Sequence, residues 1–120
     1  MCPSRFLGLP FRLGADGSDG AIDCIHMVYG VLSDLGIPTP PFKAEWYDAS
    51  TRVIARDLLS WGARIDAPRL DGDVLLLPQN NAFAVVWNGG ILHIGARSER
   101  VCWVPLEKSA KLPCFRMKSS

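Results

Sequence analysis

The chain has no apolar run long enough to cross a membrane, since no window approaches the roughly 20 residues a span needs. Its opening, MCPSRFLGLP, carries one arginine and no apolar stretch of signal-peptide length, so synthesis in the cytoplasm without a secretion signal is expected. A charge imbalance is missing too: 13 Lys and Arg stand against 12 Asp and Glu, a formal charge of +1, with no basic run and no acidic tail. Nothing here recruits nucleic acid or a charged membrane by bulk electrostatics. The 4 cysteines, Cys2, Cys24, Cys102 and Cys114, form no C-x-x-C pair, and without a secretory context free thiols are expected. There are only 2 histidines, and a zinc site from Cys24, His26 and His93 would lack a fourth ligand, so neither metal nor cofactor is expected.

What is present suits one core. At 120 residues and 48% hydrophobic content, the chain is long enough for a single domain over 1–120 and too short for two. Residues 1–22 are rich in Gly and Asp, with GADGSDG at 14–20, and read as loop. Asp23 then caps a helix over 24–35, in which Ile25, Val28, Leu32 and Leu35 recur at helical spacing before Gly36 and Pro38 end it. His26 falls on the side of Tyr29, Gly30 and Ser33, which makes it a surface or partner-facing histidine. A connector, TPPFKAEWYD, leads to a second helix over about 51–61, capped by Asp48 or Ser50 and stopped by Gly62.

The rest reads as strand: 72–78, 83–87, 91–95, 101–105 and 114–117 are short, β-branched or aromatic runs, and NGG at 88–90 marks a hairpin. Helices followed by an antiparallel meander predict an α+β domain, its first helix packed on a sheet of about five strands. Four tryptophans, Trp46, Trp61, Trp87 and Trp103, divide between core and possible anchors for a partner.

Taken in order, the Gly-rich lead, the AIDC that opens a helix, the GDVLLL strand and the VVWNGGILHIG hairpin resemble the NlpC-type cell-wall peptidases. These are papain-like cysteine hydrolases that cut peptidoglycan stem peptides. The similarity covers most of the chain and is greatest to the compact versions carried by phage tails. There a short lead, DC, a helix ending LGI-P, the GD strand and a last strand with an aromatic and an arginine, here Phe115 and Arg116, fill the domain. The resemblance implies Cys24 as nucleophile, His93 as the residue that orients the base, and a histidine base twelve positions before His93. That position is Asn81, its neighbour Asn80 is not histidine either, and the lead-segment tyrosine that serves the oxyanion site is replaced by Phe11. Asp23, besides capping, is the residue that would hold a substrate amine.

An ordinary thiol is about 3% ionised at pH 7. A helix N-terminus contributes roughly 0.3–1 kcal/mol, raising that fraction to about 15% at most. General acid–base assistance is worth about 10² to 10⁴ in rate, and asparagine does not titrate. The expectation is therefore a degenerate peptidase fold serving a structural or binding role in a phage tail tip or baseplate, bound to other tail proteins and localised to the virion. The alternative is an active endopeptidase or amidase acting on stem peptides, with Cys24 attacking, His93 as base and Asn81 as helper. A third reading is an unrelated α+β binding domain in which DC is coincidental.

Overall fold

A computed structural model describes residues 3–39, 51–77, 82–94, 99–106 and 113–117. The fold is α+β. A short 3₁₀ helix (Pro3–Phe6) precedes two α-helices, α1 (Cys24–Asp34) and α2 (Thr51–Trp61), and six strands follow: β1 (Gly62–Ile65), β2 (Val74–Leu77), β3 (Ala82–Trp87), β4 (Gly90–Ile94), β5 (Val101–Pro105) and β6 (Cys114–Met117). They form one antiparallel sheet in the order β1-β6-β2-β3-β4-β5. The connector at 40–50, with Trp46, Asp48 and Ser50, lies outside the described residues, as do Cys2, Asn80 and Asn81.

Three expectations change. The sheet has a sixth strand, β1, directly after the Gly62 that was expected only to stop a helix. Its GARI sequence has a single apolar residue to face a core, too little for a periodic signal, and its pairing with β6, Gly62 opposite Met117, supplies the order. Second, the sheet is not a simple meander, because β6 returns to lie between β1 and β2 and pairs with both. Third, the lead is not plain loop. It contains the 3₁₀ helix, and its Gly8–Phe11 stretch is bonded to the start of β5: Gly8 donates to the Val101 carbonyl at 2.9 Å, Val101 donates to Leu9 at 2.9 Å, and Phe11 donates to Glu99 at 2.7 Å. This covers part of the edge that β5 would otherwise leave open.

The α1 terminus follows from local chemistry. Leu35 donates to Val31, Gly36 with φ of +74° donates to Ser33, and Ile37 donates to Leu32, the paired bonds of a Schellman cap. At the hairpin, Asn88 (φ 54°) and Gly89 (φ 76°) both take positive φ, which a two-residue turn between Trp87 and Gly90 requires.

Both sheet faces bury apolar clusters, which is why the strands read as continuous apolar runs rather than alternating ones. One face packs against α1 and α2: Val74, Leu76, Phe83, Val85, Leu92, Val101, Phe115 and Met117 join Ile25, Val28, Leu32, Ile54 and Leu58 in the main core. The other face carries a smaller cluster of Leu75, Ala84, Val86, Ile91 and Cys114, flanked by Ile65 and Val104. The assignment alternates residue by residue along every strand, as the pleat demands.

The 3₁₀ helix docks on α1 where Gly30 leaves room for the Phe6 ring, and Arg5 pairs with Asp34 through Nε at 2.8 Å and Nη2 at 3.0 Å. A Cβ at Gly30 would meet the Phe6 ring at 2.5 Å. Gly30→Ala should therefore cost about 1–3 kcal/mol through overpacking, read as a lowered urea midpoint. An unchanged midpoint would mean that Phe6 does not hold this junction.

Asp73, 1% exposed, joins strands distant in sequence. Arg116 on β6 donates to both its oxygens at 3.0 Å, and the Arg69 and Leu70 amides donate to Oδ2 at 3.0 Å. Burial pushes the Asp73 carboxyl up, but the Arg116 guanidinium and the two amides outweigh it and hold it below the usual carboxylate range. A depressed carboxylate stabilises the fold above the unfolded-state value of about 3.9, and that contribution is lost as pH falls through the folded-state value. Asp73→Asn should be less stable than the wild type at pH 7, and the gap in urea midpoint should narrow steadily as the pH is lowered below about 4.

Candidate functional site

The start of α1 is organised around the side chain of Asp23. Its Oδ1 accepts from the His26 amide at 2.8 Å, which is the helix cap, and lies 2.9 Å from His26 Nδ1. Its Oδ2 accepts from the Gly14 amide at 3.0 Å, and its own amide donates to the Ala15 carbonyl at 3.0 Å. One carboxylate thus caps α1, anchors the Gly-rich lead and holds an imidazole. At 1% exposure it presents no surface to an incoming amine.

His26 departs from the expected surface residue. Its side chain is 23% exposed and faces Asp23 on the same first turn, because positions three apart on a helix are neighbours. The D-x-x-H spacing carried that signal. The ring also lines a cleft of about 380 Å³ with Arg5, Phe6, Leu9, Asp16 and Ser18, on a different side of α1 from the sheet.

Cys24 is the first residue of α1, half-buried and packed against the main core. Burial pushes its thiol up from the ordinary range, the nearby Phe83 backbone amide on β3 pulls it partly back, and the Asp23 carboxylate raises it again. The net direction is upward. The helix N-terminus that should favour a thiolate is outweighed by lost solvation and by the charge of its own cap.

His93 is not beside it. On β4, Leu92 and Ile94 face the helices, while His93 shares its face with Ile91, on the side of the second cluster. The structure therefore separates Cys24 and His93 by the thickness of the sheet, and the Cys24–His93 dyad of the active reading is not assembled. The partner that His93 does have is Cys102, opposite it on β5, with Nε2 and Sγ 3.4 Å apart. Burial pushes the His93 imidazole below its ordinary value, with a backbone hydrogen bond at Ile94 acting the other way. Sequence reasoning missed this pair because the β4–β5 register is set by pairing between strands, which no single stretch of sequence encodes.

Phe11 sits on the lead, 40% exposed, its backbone bridged to Ile22 two residues before Cys24. Trp61 and Trp87 are half-buried against the main core, and Trp103, 39% exposed, donates its indole N–H to the Trp87 carbonyl at 2.9 Å. Among the described residues, no group of three His, Cys, Asp or Glu side chains is placed to hold a metal ion, and no helix is long and apolar enough to cross a membrane. A scan against protein-family models finds no match, and a search of curated proteins finds none.

Removing the Asp23 carboxylate should unfasten cap and lead together. Asp23→Ala is expected to cost at least the 1–2 kcal/mol of a strong N-cap, with faster amide hydrogen exchange at Gly14 and His26 than in the wild type. A loss of stability without that local exchange signature would remove Asp23 from its anchoring role.

Proposed function

We propose that the chain is a phage tail component, of the tail tip or baseplate hub, with a catalytically degenerate NlpC-type cell-wall peptidase fold used for structure or binding. The order of the lead, the DC helix start, the GD strand and the NGG hairpin supports the family. A helix that begins with cysteine and packs on an antiparallel sheet supports it over an unrelated small domain. The same motif order is the ground for the tail association and for other tail proteins as partners.

One observation carries the degenerate reading: the expected nucleophile is a half-buried thiol with a raised pKa, and neither histidine of the chain is in position to take its proton. His93 lies on the far face of the sheet, and His26 is turned by roughly 200° from Cys24 around α1. Peptide hydrolysis also needs a proton delivered to the leaving amine, which Asn81 at the family's base position does not supply.

The test is the pH dependence of iodoacetamide alkylation, resolved by peptide in a mass spectrometer, alongside digestion of purified peptidoglycan. Cys24 should reach half-maximal reactivity only at a pH above the roughly 8.5 of an unperturbed thiol, because burial raises it. No stem-peptide fragments should be released. Full reaction of Cys24 at pH 6, or fragments lost on Cys24→Ala, would overturn this reading in favour of an active endopeptidase or amidase.

A further inference from the structure

The imidazole that the active reading pairs with Cys24 is, in this fold, in contact with a different thiol. Cys102 and His93 are cross-strand partners on β5 and β4, their side chains on the sheet face away from both helices. Sγ and Nε2 lie 3.4 Å apart, within reach of a sulfur hydrogen bond. A thiol within hydrogen-bond reach of an imidazole that can take its proton is the arrangement that activates a nucleophile. Cys102 is also partly exposed on a strand at the edge of the sheet, whereas Cys114 is buried and its thiol donates to the Ile65 carbonyl at 3.2 Å.

We propose that Cys102, with His93 as its proton acceptor, is the reactive thiol of this protein and a site of mixed-disulfide formation with small disulfides. Cys102 Sγ attacks one sulfur of the disulfide as its proton passes to His93 Nε2. A new S–S bond forms to Cys102 and the original S–S bond breaks. The departing thiolate takes the proton back from the imidazolium and leaves as a thiol. Cys102 is oxidised, the small disulfide is the oxidant, and His93 is returned unchanged. Burial favours the neutral imidazole, the form that can accept the thiol proton as attack proceeds. The site is separate from the α1 terminus and does not depend on the reading of Cys24.

The experiment treats the full chain, in a Cys2→Ser background, with oxidised glutathione at neutral pH and follows glutathionylation of each cysteine by mass spectrometry. Cys102 should be modified at least about tenfold faster than Cys24 or Cys114, and His93→Gln should slow Cys102 by about tenfold or more, within the range that a positioned base contributes. The rates of the other two thiols should be unchanged. Exposure alone would give the first result without the second, so an unaltered Cys102 rate in a folded His93→Gln variant overturns the proposal. Where that variant fails to fold, His93→Asn takes its place under the same criterion, and in the wild type Cys102 no faster than Cys24 overturns the proposal by itself.

Discussion

Successive side chains of a strand point to opposite faces, and in this sheet each face carries its own buried cluster, so a residue's parity along its strand decides which chemistry it can join. Leu92 and Ile94 belong to the helix side and Ile91 to the other. His93 has no freedom to change sides, because a shift of one residue would drive Leu92 out of the main core and bring polar atoms into it. The cost of such a slip far exceeds what one catalytic hydrogen bond returns. The same parity brings Cys102 opposite His93 on β5. One geometric rule therefore withholds an imidazole from Cys24 and provides one to Cys102.

The Asp23 carboxylate illustrates a conflict between stability and reactivity at a helix start. A negative cap is the best partner for the unsatisfied amides of the first turn and the positive end of the dipole. Placed next to a thiol, it raises the energy of the thiolate. An active site with this arrangement needs a further positive group to offset that charge, normally the imidazolium formed when the base takes the thiol proton. Here the imidazole near Asp23 is His26, which points along the cap and away from the sheet. It completes the anchoring of the lead and leaves the thiol with its burial uncompensated.

Legibility in the sequence follows the range of the interactions. The α1 start and stop, the Asn88-Gly89 turn and the α+β class are local and were readable from Asp23, Gly36, NGG and the apolar runs. β1 was hidden because GARI offers one large apolar residue and owes its place to β6, whose paired residues lie 49 (Ile65 with Cys114) to 55 (Gly62 with Met117) positions further along. The Asp73–Arg116 pair and the His93–Cys102 pair are both products of register between strands, which no window of sequence encodes. The Asp23–His26 contact is different. Its spacing was visible, and it was missed because a helical wheel places His26 on an outer face without showing that an N-cap side chain reaches back over the first turn.

Two deficits at Cys24 act on different steps, and so they compound. A thiol held above its ordinary pKa is ionised to less than the roughly 3% of an unperturbed one at pH 7, which limits attack. For a peptidase of the kind proposed above, the lack of a histidine beside that thiol would remove a further factor of about 10² to 10⁴, chiefly at departure of the amine. Repairing either one leaves the other. A histidine introduced near the thiol would still face a buried sulfur beside the Asp23 charge, and neutralising Asp23 would sacrifice the cap that positions Cys24 in the first place. Hydrolysis at Cys24 would require coordinated changes at the helix start and on the sheet, whereas the packing of α1 on β3 needs only that residue 24 stay small and apolar, a condition that a protonated cysteine meets.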